Sequence, residues 1–158
     1  DGRLTTVIVN GEDVSWAIRT EKVSALSSQV AVLPEVRKVL VSKQQEIASH
    51  QNVVMEGRDI TYRVLPDAQL KIYLTASDIV RAKRRQFQLQ TRGNPAEFDE
   101  VYQELLERDR RDTERQTDPL KVMPDAWEID SSDLSIDQVV DIVVAKAEMM
   151  YKRFEANT

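Results

Sequence analysis

This sequence predicts an α/β fold with a parallel sheet, and three observations lead there. Short apolar runs of strand character stand apart along the chain at 53–56, 70–74 and 127–130. Between and after them lie longer segments whose apolar residues recur at helical spacing, so strands and helices alternate. Turn residues mark the boundaries, at Asn10-Gly11, Pro66-Asp67 and Gly93-Asn94-Pro95.

Residues 4–9 predict a first strand ending at Asn10-Gly11, a strong hairpin turn with no evident partner strand after it. Val23, Leu26 and Val30 mark the apolar face of a helix, and Pro34 suits the first turn of a second helix carrying Val36, Leu40 and Ile47. The strand at 53–56 follows and runs into Glu56-Gly57-Arg58-Asp59-Ile60. After the strand at 70–74, Asp78 opens a helix that passes through Arg85 and stops before Gly93-Asn94-Pro95. In the next helix Phe98, Val101, Tyr102, Leu105 and Leu106 fall at helical spacing, and Arg108, Arg111, Asp112 and Arg115 extend it with charge on one face. The strand at 127–130 precedes Ser135 and Gln138, which form a capping box for a last helix bearing Ile136, Val139, Val140, Val143, Ala147, Met150 and Phe154.

With 158 residues and a 41% hydrophobic share, one domain can fill a core. No cysteine is present, which excludes disulfides, thiolate metal sites and cysteine nucleophiles. His50 is the single histidine, so histidine-based triads and multi-histidine metal centres are excluded too. No apolar run reaches the length of a membrane span and no signal-peptide pattern appears, so a soluble cytoplasmic protein is expected. The net charge of −5 argues against general polyanion binding, yet arginines and lysines cluster at 81–85 and 108–115. Local positive patches in an acidic chain suggest a specific small anion.

Gly57-Arg58-Asp59 puts charge at a strand end, where open α/β sheets bind ligands, and it reads either as a site or as a solvated turn. Arg108, Asp112 and Arg115 read either as helix-surface ion pairs or as an anion site, because the arginines outnumber the carboxylate. Arg81 and Arg85 share a face whereas Arg84 points elsewhere; the run is either a solvated helix surface or an arm that closes over phosphates.

Taken in order, the segments resemble bacterial cytidylate kinases, nucleoside-monophosphate kinases of the P-loop class. The likeness runs through Asn10-Gly11-Glu12-Asp13-Val14, Ser28-Gln29-Val30-Ala31, Pro34-Glu35-Val36-Arg37, Val54-Met55-Glu56-Gly57-Arg58-Asp59-Ile60, Leu65-Pro66-Asp67-Ala68, Arg84-Arg85, Arg108-Asp109 with Arg111-Asp112, and Pro119-Leu120. It implies transfer of the γ-phosphoryl group of ATP, with Mg²⁺, to CMP or dCMP, by a monomer that engages neither nucleic acid nor membrane. By the same resemblance Ser28, Arg37 and Asp59 match residues that read the cytosine edge, and Arg58 and Arg115 match phosphate ligands. Arg108 and Asp112 match residues at the sugar and phosphate, and Arg84 matches a lid residue facing ATP. The implied division is a partial acceptor-binding subdomain at 1–36, core at 37–83 and 112–158, and a helical lid at 84–111.

Two departures stand against the family pattern. The phosphate-cradling motif G-x-x-x-x-G-K-[ST] has no counterpart, since the glycines are Gly2, Gly11, Gly57 and Gly93. The family carries that loop upstream of the matching region, and the strand leading into it lies between those matching 53–56 and 70–74. These residues alone are therefore expected to be inactive, with two unpaired strand edges, and to be unstable, to aggregate or to recruit a substitute strand. The second departure is Thr61-Tyr62-Arg63, where the family usually has Gly-Thr and an apolar residue; Arg63 either adds a phosphate contact or stays exposed. The reading from a different class is a non-catalytic module that binds a nucleotide or partner through its arginine-rich helices.

Overall fold

The computed structural model describes residues 5–156, the side chains of Glu21 and Ser28 excepted. Strand β1 (Ile8–Val9) pairs antiparallel with β2 (Glu12–Asp13), so the partner strand begins two residues after the first one ends. Asn10 (φ 52) and Gly11 (φ 85) are both left-handed, the conformation a two-residue hairpin turn requires. The strand is shorter than the predicted 4–9, and Leu4 lies outside the described residues.

Helix α1 (Glu21–Val30) is capped by Thr20, whose Oγ1 accepts from Val23 N at 3.4 Å. Helix α2 (Pro34–Ser49) starts on its proline as expected, where a missing N–H costs nothing. It buries a charged residue, Arg37, in its first turn.

Residues 53–56 do not form the predicted strand. An apolar run becomes a strand only by pairing, and no described strand lies beside it; Val54 is fully exposed. The chain passes from there into a single π-helical turn at Ile60–Val64, closed by Leu65 N donating to Ile60 O at 2.8 Å. Ile60 and Val64 are its buried face. Gly57 lets the chain pack closely here, because a Cβ on it would stand 2.8 Å from Ile60 Cγ1 and force that side chain to shift.

The expected parallel sheet is represented by one pair, β3 (Ile72–Thr75) with β4 (Trp127–Asp130), in register from Ile72↔Trp127 to Thr75↔Asp130. Helices α3 (Asp78–Thr91) and α4 (Phe98–Glu114) pack against each other with Ala82, Leu89 and Val101 buried. Arg81 Nη1 lies 2.5 Å from Asp109 Oδ2, which sets the start of α3 beside the end of α4. Gly93 (φ 75) ends α3, its N–H donating to Gln90 O at 3.0 Å. The capping box forms as read: Ser135 N donates to Gln138 Oε1 at 2.8 Å and Gln138 N to Ser135 Oγ at 3.2 Å, opening α5 (Ile136–Ala156). Among the described residues no helix is long and apolar enough to cross a membrane.

Candidate acceptor site

Six of the residues singled out in the sequence meet in one charged network. Arg37 comes from the first turn of α2, Arg58 and Asp59 from the segment before the π turn, Arg108 and Asp112 from α4, and Arg115 from its C-terminal cap. Arg37 Nη2 donates to Asp59 Oδ2 in a buried ion pair. Around Asp112, 6% exposed, Arg58 Nε donates to Oδ2 at 2.8 Å, with Arg108 Nε at 3.9 Å and Arg115 Nη1 at 3.8 Å. The i, i+4 and i, i+3 spacings of α4 explain this convergence on one carboxylate.

A seventh residue that sequence reasoning missed ties the two halves together. Asp118, left-handed at φ 49, takes Arg37 Nε on Oδ2 at 2.9 Å and faces Arg63 Nε from Oδ1 at 3.3 Å. Its carbonyl accepts from Arg115 Nε at 2.7 Å. Five guanidinium groups thus surround three carboxylates, and positive charge is left over. Among the described residues Arg115 Nη2 is buried without a hydrogen-bond partner. Surplus positive charge beside an unsatisfied buried donor is the chemistry of an anion site.

Of the remaining sequence candidates, those whose side chains are described have further partners. Ser28 lies on α1, but its side chain is outside the described residues. Arg84 is bound at the carboxyl end of the sheet, where Nη1 donates to Ser131 Oγ at 3.0 Å and Nη2 to Ser131 O at 2.6 Å and Leu134 O at 3.2 Å. Arg111, expected on the Arg108–Arg115 face, turns to Glu107 at 3.6 Å. Arg110 pairs with Glu107 and Glu114, so this part of α4 carries ordinary surface ion pairs.

A family model described as cytidylate kinase matches residues 2–149. The chain belongs to the cytidylate kinase family. Among curated relatives named cytidylate kinase, that of Anoxybacillus flavithermus is 48% identical over 138 residues, which is 87% of this chain and 61% of the relative. One from Acinetobacter baumannii is 45% identical over 140 residues, 89% and 61% of the two chains. One from Stutzerimonas stutzeri is 44% identical over 146 residues, 92% and 64%. The chain therefore spans about three fifths of the length of these cytidylate kinases.

The segment Thr61-Tyr62-Arg63 borders the network directly. Arg63 is half exposed and still pairs with Asp118, while Tyr62 Oη donates to Pro119 O at 2.5 Å and Lys121 Nζ sits 4.1 Å from the Tyr62 ring centroid. Burial first, then the Asp118 and Asp59 carboxylates, push the Tyr62 hydroxyl above its ordinary value of 10.0, against the opposing pull of Arg115 and Arg37. The folded protein then holds this proton more tightly than the unfolded chain. Tyr62 accordingly contributes stability that is complete below the unfolded value and is lost as pH rises through the raised one. As pH rises above about 10 the melting temperature should fall more steeply for the unaltered protein than for Tyr62→Phe. Parallel slopes would detach the tyrosine from that loss.

Proposed function

We propose that this network is the acceptor site of a nucleoside-monophosphate kinase that transfers the γ-phosphoryl group of ATP to CMP or dCMP, giving CDP or dCDP. The carrying observation is the convergence of Arg58, Arg108 and Arg115 on buried Asp112 beside the Arg37–Asp59 pair. Forked guanidinium donors match phosphate, and a neighbouring carboxylate matches an amino donor. Asp59 answers the cytosine amino group, Arg37 and Ser28 answer the ring acceptors, Arg58 and Arg115 hold the phosphate, and Arg108 and Asp112 stand at sugar and phosphate. Uracil would bring a carbonyl against Asp59, acceptor facing acceptor.

These residues fit the acceptor nucleotide better than the donor. The sequence holds no closely spaced glycines to cradle the donor phosphates, and among the described residues no cluster of three or more carboxylate or histidine side chains could hold a metal ion. ATP with Mg²⁺ supplies the phosphoryl group when bound. The chain's own contribution is to orient the acceptor phosphate, neutralise its charge and select its base, which is most of what phosphoryl transfer asks of a protein. Residues 84–111 correspond to most of α3 and α4 and form the lid, with Arg84 at its base on the donor side; 1–36 belong to the acceptor subdomain. A cytoplasmic monomer acting in pyrimidine nucleotide metabolism completes the reading.

The test is calorimetric titration with CMP, dCMP and UMP, followed by a MgATP-dependent assay for CDP on the protein that contains these residues. Preference for the cytosine nucleotides and formation of CDP are expected. Equal affinity for CMP and UMP, or none for either, would overturn the reading.

A further inference from the structure

The geometry points to Asp118 as a positioning residue that sets base selectivity at the acceptor site, an inference resting on the nucleotide reading above. Asp118 lies just beyond α4 on a left-handed backbone (φ 49), with a side chain only 13% exposed. It holds two arginines at once, Arg37 by its carboxylate at 2.9 Å and Arg115 by its carbonyl at 2.7 Å.

The consequence lies in which oxygens of Asp59 stay free. Arg37 presents three groups: Nε goes to Asp118, Nη1 to Ala31 O at 3.4 Å and Nη2 to Asp59 Oδ2. Asp59 Oδ1 takes no hydrogen bond from the described residues. A guanidinium with an unengaged Nε prefers the two-bond fork on a single carboxylate. Without Asp118, Arg37 would turn its Nε and Nη2 edge onto Asp59 and occupy both oxygens, closing the acceptor that a base amino group needs. Asp118 keeps Asp59 half open, and the selectivity for an amino-bearing base depends on that opening.

The loop is in turn held by Tyr62 and Arg63. Arg63 Nε lies 3.3 Å from Asp118 Oδ1 and so fixes which oxygen is left for Arg37. Tyr62 Oη donates to the carbonyl of the next residue, Pro119, at 2.5 Å. Arg63, Tyr62 and Asp118 act as one clamp between the π turn and the end of α4.

The experiment measures dissociation constants for CMP and UMP on the unaltered protein and on Asp118→Gly, Asp118→Asn, Arg63→Val and the Asp118→Gly/Arg63→Val double variant. Glycine and asparagine both tolerate the left-handed backbone, so neither adds strain. Asp118→Gly should weaken CMP about tenfold, the worth of one charge-assisted hydrogen bond, and change UMP less than about twofold. Arg63→Val should move the ratio the same way by less, and the double variant should be no worse than Asp118→Gly alone, because both act through one contact. Asp118→Asn, which still offers Arg37 an oxygen, should recover part of the preference; it carries the test if the glycine variant does not fold, with a loss of about threefold. Equal losses for both nucleotides would mean a merely structural role and overturn the proposal, as would an unchanged ratio. An unaltered protein with no CMP preference overturns the nucleotide reading along with it, whereas a preference that Asp118→Gly retains overturns this inference alone.

Discussion

In the proposed kinase that contains these residues, replacing Arg115 by lysine should lower kcat/KM for CMP by about 10- to 100-fold, the equivalent of about 1.5–3 kcal/mol for a lost charge-assisted hydrogen bond. The lysine keeps the charge near Asp112, so the experiment isolates the fork. Arg115 spends Nε on Asp118 O at 2.7 Å, points Nη1 at Asp112 from 3.8 Å and buries Nη2 with no partner among the described residues. One ammonium cannot hold the loop carbonyl and a phosphate oxygen at the same time. A phosphate oxygen would give the Nη2 donor a partner on binding. Cytidine, which lacks the phosphate, is the control and should bind Arg115→Lys about as well as the unaltered protein. Equal losses for cytidine and CMP would place Arg115 at the base or in the scaffold and sink the phosphate role.

How much of this was legible in the sequence depended on whether a contact was local. The capping box of α5 was readable because Ser135 and Gln138 satisfy each other across three residues. Asn10-Gly11 was readable as a turn for the same reason, yet the strand it feeds, Glu12–Asp13, is two acidic residues with no strand pattern and is defined only by pairing. At 53–56 the opposite occurred: the apolar pattern is present, and among the described residues no ladder forms with it. Within the site, helical spacing foretold that Arg108, Asp112 and Arg115 share a face. Arg111 also reaches Glu107 one turn back, at 3.6 Å. Asp118 left no such local signal. Its side-chain partners Arg37 and Arg63 are far off in the chain, and its position depends on a left-handed backbone where the proline after it would favour an extended one. The resemblance to cytidylate kinases supplied roles only for residues matching a shared motif, so the clamp of Tyr62, Arg63 and Asp118, which joins distant segments, was beyond its reach.

Asp59→Asn should then do two separable things. Arg37 is 8% exposed and balanced by Asp59 and Asp118 together, so neutralising one leaves a buried guanidinium with a single carboxylate. Removing one partner of a buried pair costs about 3–5 kcal/mol, and because Asp118 stays in place the loss of unfolding free energy should fall near about 3 kcal/mol. Selectivity should change in kind as well as degree. An asparagine amide can turn either its oxygen or its NH₂ toward a ligand, so it can serve the amino group of cytosine or the carbonyl of uracil, whereas the carboxylate serves only the first. The ratio of kcat/KM for CMP over UMP should collapse by about 100-fold, with UMP gaining part of what CMP loses. Denaturant unfolding measures the first effect and competition between the two nucleotides the second. A variant that loses stability and keeps its ratio would make Asp59 a counter-ion for Arg37 and nothing more. A ratio that falls while UMP turnover rises would show the carboxylate excluding uracil by charge, which a purely structural ion pair cannot do.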